Sequence, residues 1–433
     1  MRVLIISNSE WRDSNSFGST FSNFFSELRE EMVIANIYCR EGVPATAMCH
    51  SFLKIADKDL LKGLLHRGYD PAVVMHNQAD EQAQKDSSVA GFARKKRWSI
   101  FYLAREVLWG ISNYKRENFT RFVEDFQPDV IFLPTYSFGY INKMALYLQK
   151  KYSLPIISYM SDDEYSLRRR SLSPLFWINR LYQRKWVIRG LRSSQKVFVI
   201  STVQQKELQL DLGISSEVLT KSLNFNGSIP AAKPKDSQVR FVYTGNLGDG
   251  RWNSIAKLGC ILDEINTKQN KHQYVLDIYS GTALTAQMRE AFEKAASLSF
   301  RGFIRANELP AVWENADYLI HAESLDKKDC YVTHQSFSTK LVDYMHTGRC
   351  IVAVGNRTLA SIQHLIENHC ALVLTDFSDA QTQLAQLFDD ETQEKAYICN
   401  AWICGQKCHN TSVMADRLRK AFYEVVDSEG IAN

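Results

Sequence analysis

Short apolar runs separated by longer amphipathic stretches recur along the first half of the chain. The runs at 2–6, 33–38, 129–133, 155–159 and 196–200 have the length of buried strands. Helical periodicity lies between them, at 18–29 and across 99–126, whereas residues 40–97 are polar and show no clear period. Alternating strands and helices predict a parallel sheet covered by helices on both faces.

The same alternation restarts after a break at residues 226–237, which read NGSIPAAKPKDS. Glycine, two prolines and the lack of a period are typical of an interdomain linker. Predicted strands follow at 239–244, 274–279, 318–321 and 350–354, and a last helix at 412–426. We therefore expect two doubly wound, Rossmann-like α/β domains, at 1–225 and 238–410, and a final helical segment at 411–433. Such domains bind ligands beyond the carboxyl ends of their strands, so the expected site is a cleft between them.

The composition is that of an ordinary globular protein, with 433 residues, 45% of them hydrophobic, and a net charge of +4. The length allows two separate cores, and the small charge does not indicate a nucleic-acid partner. No apolar run approaches the ~18 residues of a membrane span, and the opening MRVLIIS fits a first strand better than a signal peptide. Nine scattered cysteines, an odd number, favour a reducing compartment, so we expect a cytoplasmic protein.

Cysteine and histidine cluster near the end of the chain, at Cys399, Cys404, Cys408 and His409. The spacing is not C-x-x-C, and no second pair at zinc-site spacing follows. We interpret these as helix residues and expect no metal site.

The segment 335–355, QSFSTKLVDYMHTGRCIVAVG, predicts a loop, a helix and a strand. It opens with Ser336, Ser338 and Thr339, whose small polar side chains can cap a helix start. Apolar residues then recur at helical spacing, Gly348 ends the helix, and 350–354 forms the strand. Because a helix start presents backbone N–H groups at a positive end, this segment can hold an anion.

A glycine-rich turn follows the strand predicted at 239–244, in the sequence YTGNLGDGRWNSI. Gly245 lets the backbone approach a phosphate, and Arg251 at the next helix start adds charge against a diphosphate. The spacing is not G-x-G-x-x-G, which disfavours a dinucleotide site. A tight turn beside a solvated arginine fits the same residues. Similarly, the loop after Gly302 is either a contact for a planar base or an ordinary crossover.

Three adjacent acids, Asp162, Asp163 and Glu164, follow the strand predicted at 155–159. At a strand's carboxyl end they could orient a substrate hydroxyl or hold a metal. A solvated acidic turn, balanced by the arginines at 168–170, is the alternative.

A basic and aromatic stretch runs from 168 to 196, with nine Lys or Arg residues, no acid, and the aromatic residues Phe176, Trp177, Tyr182 and Trp186. A second basic patch, at 94–97, leads into Trp98. Such surfaces suit anionic lipid headgroups. RNA is less favoured because no recognition-module signature is present, and a solvated face over core aromatics remains an alternative.

Taken in order, these features resemble the retaining glycosyltransferases of the GT-B fold, most closely family 4 of bacterial surface-polysaccharide pathways. The resemblance spans most of the chain and is strongest from 241 to 355. The family's glycine-containing first loop is matched by Gly18. Its glycine followed six residues later by a basic residue, which contacts the donor diphosphate, is matched by Gly245 and Arg251. The family's basic position just after that glycine is Asn246 here.

Further donor-binding positions follow from the same resemblance. The loop that borders the nucleobase corresponds to Phe303 and Ile304. The E-x7-E motif, whose acids contact the donor sugar and the ribose, is replaced by Gln335 and Asp343. The backbone amides that hold the diphosphate correspond to Phe337, Ser338 and Thr339, with Lys340 adding a charge beside them.

The resemblance also implies the catalytic residues. Many relatives carry a histidine at a strand end where this chain has Asp162, so the acceptor-side role passes to Asp162 or Asp163. Arg251 and Lys340 would stabilise the leaving diphosphate without a metal.

The implied function is transfer of a hexose-type sugar from a nucleoside-diphosphate sugar, a UDP-sugar first, to a saccharide or polyprenyl-linked saccharide in polysaccharide biosynthesis, with retention. The first domain would bind the acceptor and the second the donor, with the last helix crossing back to the first domain. No cofactor beyond the co-substrate is expected, and the enzyme would lie peripherally on the inner face of the plasma membrane. Two alternatives stay open: a nucleotide-sugar isomerase of the same fold, and a non-catalytic nucleotide-sugar-binding subunit.

Overall fold

The computed structural model describes residues 1–76, 99–231, 235–268 and 272–430. The basic patch at 94–97, with Trp98, lies outside these residues, as does 232–234 of the predicted linker. Two compact units share the chain. Unit 1 comprises residues 1–221 together with the segment from Met414 onward, and unit 2 comprises residues 222–413.

Unit 1 is built around an eight-stranded sheet. Its strands are β1 (Arg2–Ser7), β2 (Val33–Tyr38), β3 (Ser51–Ile55), β4 (Ala72–Met75), β5 (Val130–Pro134), β6 (Ile156–Met160), β7 (Lys196–Val199) and β8 (Glu217–Val218). The helices described up to residue 221 are α1 (Ser16–Phe25), α2 (Asp57–Leu65), α3 (Ser99–Ile111), α4 (Glu117–Phe126), α5 (Gly139–Tyr152), α6 (Pro174–Ser193) and α7 (Thr202–Leu212), with a 3₁₀ turn at Ser26–Leu28. The strand order is β4-β3-β2-β1-β5-β6-β7-β8, and β3 with β4 is the antiparallel pair.

The central strands of unit 1 read as continuous apolar runs because helices cover both faces of the sheet. Every residue of β5 and of β6 is buried. On one face, the ring of Trp109 from α3 stacks on Tyr140 from α5, with centroids 4.2 Å apart. The carboxyl ends of β5 and β6 are neighbours in this sheet, so the loops that follow them lie at one edge.

Unit 2 contains a six-stranded, all-parallel sheet. Its strands are β9 (Gln238–Thr244), β10 (Gln273–Tyr279), β11 (Leu298–Gly302), β12 (Tyr318–Ala322), β13 (Cys350–Val354) and β14 (Leu372–Leu374). Its helices are α8 (Arg251–Lys268), α9 (Ala286–Glu293), α10 (Leu309–Glu314), α11 (Lys327–Thr333), α12 (Lys340–His346), α13 (Ala360–Glu367), α14 (Ala380–Asp389) and α15 (Glu391–Cys408). The order β11-β10-β9-β12-β13-β14 reverses between β9 and β12, which makes that pair the topological switch point.

The last described helix, α16 (Thr411–Gly430), supplies part of the unit 1 core. The Phe422 ring lies 6.0 Å from that of Phe25 and 5.8 Å from that of Phe132, measured between centroids. Phe132 is a residue of β5, so the end of the chain covers the sheet that its beginning forms.

The predicted α/β fold of two doubly wound domains is confirmed. Two details differ. The unassigned region 40–76 contains β3, α2 and β4, whose polar, sheet-edge residues dilute the apolar pattern. The helical region 99–126 is two helices, α3 and α4, separated at 112–116. Among the described helices, none is both long and apolar enough to cross a bilayer.

Gly18 lies in the first turn of α1, as the predicted helix at 18–29 indicates and unlike the loop position that the family resemblance implies. The side chain of Asn15 caps this helix, accepting a hydrogen bond of 2.7 Å from the Gly18 N–H. A Cβ on Gly18 would lie 1.9 Å from the Arg12 carbonyl oxygen, so the glycine permits close backbone packing at this position.

Candidate active site

Gly245 and Lys340 meet at the switch point of unit 2. Gly245 follows β9 and has a φ of +151°, a conformation that side chains other than hydrogen rarely allow. Its N–H donates to the Tyr279 carbonyl at 3.0 Å, which fixes the turn to β10. A Cβ built on Gly245 would lie 2.3 Å from Lys340 Nζ, so the lysine ammonium occupies the space that the glycine leaves.

Arg251, the first residue of α8, is held by a carboxylate from the other side of the switch point. Its Nε lies 3.1 Å from Glu323 Oε2 and its Nη2 lies 3.2 Å from Glu323 Oε1. Glu323 directly follows β12 and is only 6% exposed. This two-pronged pairing orients the guanidinium and balances its charge.

Lys340 has no such partner. Within the described residues its ammonium makes no hydrogen bond and no ion pair, although it is partly buried. Burial and the nearby charge of Arg251 lower the pKa of Lys340 to about 8. The charges of Glu323 and Asp343 offset part of this lowering, and an anion beside the ammonium would stabilise its charged form further.

His321, at the end of β12, adds a buried polar group to this site. Its Nε2 makes no hydrogen bond and lies 3.9 Å from Glu323 Oε1. Burial, with the charges of Arg251 and Lys340, lowers the pKa of His321 to about 3, so the ring is neutral. The site thus combines the cations Arg251 and Lys340 with the Glu323 carboxylate and a neutral imidazole, and Asp249 Oδ2 lies 3.6 Å from Arg251 Nη1 as a further acid.

A hydrogen-bonded scaffold positions α12, and with it Lys340, against β9. The hydroxyls of Thr244 and Tyr344 lie 2.9 Å apart, and Trp313 Nε1 donates to Thr244 Oγ1 at 3.2 Å. Thr244 ends β9 and Tyr344 belongs to α12, so this contact ties the helix to the switch-point strand.

The predicted capping of this helix by the Thr339 side chain is wrong. Thr339 stands at the N-cap of α12 with a helical backbone (φ −60°, ψ −22°), and its side chain makes no capping hydrogen bond. A capping hydroxyl reaches the first turn from an extended backbone, which Thr339 lacks. The Ser338 N–H donates to Ser361 Oγ at 3.0 Å.

Other predicted donor positions vary in their accessibility. Asn246 is exposed, and its Oδ1 accepts the Gly248 N–H at 2.6 Å. Phe303 follows β11 and is 76% exposed, as a loop residue able to meet a ligand would be, and Ile304 is partly exposed. Asp343 is partly exposed on α12, whereas Gln335 is fully buried.

The side chain of Phe337 is turned into the interior of unit 2. Its ring stacks on that of His409, with centroids 5.4 Å apart and planes 16° apart. It is therefore the backbone of this residue, and not its ring, that remains a candidate for contact with a ligand.

In unit 1, the three acids after β6 have different environments. Asp163 is buried, accepts the Ser166 N–H at 2.9 Å, and lies 3.7 Å from Arg180. Asp162 is exposed, and its carbonyl oxygen accepts a hydrogen bond from Gln204 at 2.9 Å. The Asp163 carboxylate thus organises the loop, and that of Asp162 faces outward.

Glu164 is the acid whose chemistry is most altered. Its carboxylate accepts a hydrogen bond from the Ser137 hydroxyl, in the loop after β5. Burial, with the charges of Asp162 and Asp163, raises the pKa of Glu164 to about 7. This carboxyl group is thus able to gain or lose a proton near neutral pH.

The structure brings together Gly245, Arg251 and Lys340, and it adds two residues that sequence reasoning missed, His321 and Glu323. The sequence contained a signal for these two residues, because polar residues stand at the end of the apolar run 318–321. The same kind of signal, polar residues at a strand end, drew attention to Asp162. Glu323 was not predicted as a site residue because a single acid after a strand is common.

Comparisons with known proteins rest on structure. No protein-family model matches the chain. No curated protein matches it by sequence. Sucrose-phosphate synthase from Thermosynechococcus elongatus matches with a TM-score of 0.63 at 11% identity, covering 99% of both chains. Trehalose 6-phosphate synthase from Burkholderia multivorans matches with a TM-score of 0.62 at 10% identity, covering 100% of this chain and 98% of that one.

HepE from Anabaena, solved in complex with UDP, matches with a TM-score of 0.58 at 12% identity, covering 98% of this chain and 100% of that one. The chain has the GT-B fold. A GT-B protein consists of two Rossmann-like domains, and units 1 and 2 supply them here. At these identities the likeness establishes the fold alone, and the site residues must carry any statement about chemistry.

Proposed function

We propose that this GT-B protein is a glycosyltransferase that moves a hexose-type sugar from a nucleoside-diphosphate sugar to a saccharide or lipid-linked saccharide acceptor. The observation that carries the proposal is the Lys340 ammonium, which makes no hydrogen bond within the described part of the chain and lies against Gly245 at the unit 2 switch point. Arg251 stands beside it, so two cations serve one anion site at the place where doubly wound sheets bind ligands.

Transfer breaks the bond between the anomeric carbon and the diphosphate, and negative charge develops on the leaving oxygens. Lys340 and Arg251 stabilise this charge in a site that excludes much of the water, an effect commonly of a few kcal/mol per group. These cations take the role that a divalent metal plays in other transferases. The Gly245 turn lets the diphosphate approach the backbone.

The fold relatives support UDP as the nucleotide. HepE has been solved with UDP and with UDP-glucose, and trehalose-phosphate synthases of the same fold are described as UDP-forming. The motif spacing supports family 4, hence retention, with the acceptor proton passing to the leaving phosphate. Phe303 and Ile304 border the base, and Asp343 the ribose, in this proposal.

The acceptor side falls to the loops after β5 and β6 in unit 1. Asp162 is exposed there and would orient the acceptor hydroxyl, while Asp163 holds the loop in place. Glu164 adds a carboxyl group with a pKa of about 7. A polysaccharide-building role on the inner face of the plasma membrane fits the basic and apolar surface of α6.

Calorimetry with UDP, GDP and ADP tests the donor site directly. Arg251→Met and Lys340→Met should each weaken UDP binding at least about tenfold, because each removes a charge-assisted contact. Lys257→Met is the matched control, since Lys257 is an exposed lysine on the same helix as Arg251. Unchanged UDP affinity in a folded double variant would overturn the proposal.

Product analysis then separates the reaction classes. With a UDP-sugar and a panel of saccharides and polyprenyl-linked saccharides, a transferase releases UDP only when an acceptor is present. An isomerase converts the UDP-sugar with no acceptor. A binding subunit holds UDP without turnover, an outcome to which the buried amide of Gln335 gives weight. NMR of the product's anomeric proton shows whether configuration is retained.

A further inference from the structure

Three metal-ligating side chains converge inside unit 2. His364 lies on α13, Cys404 on α15, and His409 directly after α15. His364 Nε2 lies 3.2 Å from Cys404 Sγ and 3.1 Å from His409 Nε2. The three ligand atoms all lie within 4.8 Å of one another, and Cys404 and His409 are buried.

Hydrogen bonding alone does not satisfy this arrangement. A ring nitrogen of a neutral imidazole offers either one N–H or one lone pair, directed along a single line in the ring plane. His364 Nε2 nevertheless has two close partners, a thiol and a second ring nitrogen, at hydrogen-bond distance. A cation placed between the three atoms would accept one lone pair from each of them.

The donor set indicates the class of cation. Nitrogen and sulfur ligands in a compact group are those of Zn²⁺ and related borderline metals, which favour four-coordinate sites. Cys408 lies one helical turn from Cys404 on the same face of α15. Its Sγ is not among the three converged ligand atoms, so its side chain would have to rotate to supply a fourth ligand.

We propose that His364, Cys404 and His409 form a structural binding site for one Zn²⁺-class ion, with Cys408 completing its coordination. On binding, Cys404 gives its thiol proton to solvent and ligates as a thiolate, as does Cys408, while both imidazoles ligate through Nε2 in the neutral form. This proposal departs from the expectation that the cysteines and histidine at 399–409 have no metal role. The sequence did not reveal the site because His364 lies forty positions from Cys404.

The location of the ion gives it a structural consequence. The ring of Phe337 stacks on His409 and meets His364 edge-on, with centroids 5.4 and 5.1 Å apart. Ser361, on the same helix as His364, binds the Ser338 N–H. An ion that fixes both histidines would therefore steady the segment that leads into Lys340. The proposal does not depend on the proposed transferase activity.

Metal analysis of the full-length protein, purified without a histidine tag, tests the site. We expect about one zinc ion per chain by mass spectrometry, lost on treatment with a strong chelator and regained with Zn²⁺. Replacement with Co²⁺ should give the intense near-ultraviolet absorption of thiolate-to-cobalt charge transfer. Chelation should lower the melting temperature, and Zn²⁺ should restore it.

Cys404→Ser and His364→Gln should each lower zinc content at least fivefold and abolish the cobalt band. Cys399→Ser is the matched control, because Cys399 is an exposed cysteine on the same helix, and it should bind metal as the unchanged protein does. If both variants fail to fold, the chelated wild-type protein still decides the question. A folded wild-type chain that holds no zinc and gives no cobalt–thiolate band overturns the proposal.

Discussion

The ammonium of Lys340 fills the space beside Gly245, where the first carbon of any side chain would lie 2.3 Å from Nζ. The two residues are nearly one hundred positions apart and come from the turn after β9 and the start of α12. Because a side chain at position 245 would collide with Nζ, the Lys340 ammonium can occupy its place only while position 245 is glycine. This relationship links the glycine turn and the lysine into one functional unit.

Gly245→Ala should displace Lys340 and weaken UDP binding by about 10- to 100-fold, the equivalent of one charge-assisted hydrogen bond. The new methyl group meets the end of a flexible side chain, so the lysine moves and the fold survives. The positive φ should cost about 1–3 kcal/mol of unfolding free energy. Calorimetry and urea denaturation measure the two effects.

Gly227→Ala is the control for this substitution, because a Cβ at Gly227 would meet nothing within 4 Å. It should leave UDP affinity unchanged. If Gly245→Ala bound UDP as tightly as the unchanged protein, Lys340 would not be the anion ligand.

UDP binding should weaken as the pH rises through about 8, the lowered pKa of Lys340. Only the protonated ammonium attracts the diphosphate, so affinity falls above that pH, approaching about tenfold per pH unit. The terminal phosphate, with a pKa near 6, has already ionised and does not contribute above pH 7.5. Calorimetry at a series of pH values from 7.5 to 9.5 measures the slope.

Lys340→Arg should remove this slope, since a guanidinium stays charged over the whole range. A flat profile for the unchanged protein would show that the ammonium does not contribute its charge to binding.

Glu164 should make the folded state less stable as the pH rises from about 5 to 7.5. Its pKa is raised from 4.5 to about 7 by burial and neighbouring acids, so in this range the folded state binds more protons than the unfolded state. Stability is then lost with rising pH, by up to about 3 kcal/mol for this group. In the Glu164→Gln variant, this contribution to the pH dependence of the unfolding free energy should disappear.

Urea denaturation at pH 5, 6, 7 and 8 measures the effect as the gap between the two proteins. Glu117→Gln, at an exposed glutamate of α4, should follow the unchanged protein. If the unfolding free energies of Glu164→Gln and the unchanged protein varied in parallel with pH, the pH dependence would not come from Glu164.

An exposed apolar face on α6 should contact anionic membranes. Leu175, Ile178 and Leu181 recur on it at helical spacing and are solvent-exposed, with the cations Lys185 and Arg189 on the same helix. Apolar residues flanked by basic ones suit the headgroup region of a bilayer. Sedimentation with phosphatidylglycerol vesicles at low salt should therefore pull down the protein.

The double variant Ile178→Asp, Leu181→Asp should reduce the bound fraction several-fold, and Leu210→Asp, at an exposed leucine of α7, should not. The test uses apolar positions because Arg168, in the basic stretch just before α6, already forms an ion pair with Glu207. Equal binding of all three proteins would show that the face does not contact lipid.

The local pattern of apolar and polar residues predicted the strands that are buried on both faces and the glycine-containing turns. The strands 33–38 and 350–354 match the structure residue for residue, because continuous apolar runs have one interpretation inside a parallel sheet. Gly245 and Arg251 were found from their spacing, since a turn and a helix start place them next to each other in the chain.

Contacts between residues far apart in the chain could not be predicted from the sequence. Glu323 meets Arg251 across seventy-two positions, and only the strand order, with β9 beside β12, explains why they are neighbours. Gln335 occupies a position expected to touch a sugar, yet it is fully buried. No periodicity or motif encodes such three-dimensional neighbours.

The chain leaves unit 1, completes unit 2 without interruption, and returns to unit 1 with α16. During synthesis at about 5–20 residues per second, Phe422 therefore reaches Phe25 and Phe132 tens of seconds after they emerge. Unit 2 can close its sheet while the earlier unit still exposes an apolar surface. A nascent chain that ends before residue 422 should therefore leave the rings of Phe25 and Phe132 without the cover that α16 gives them.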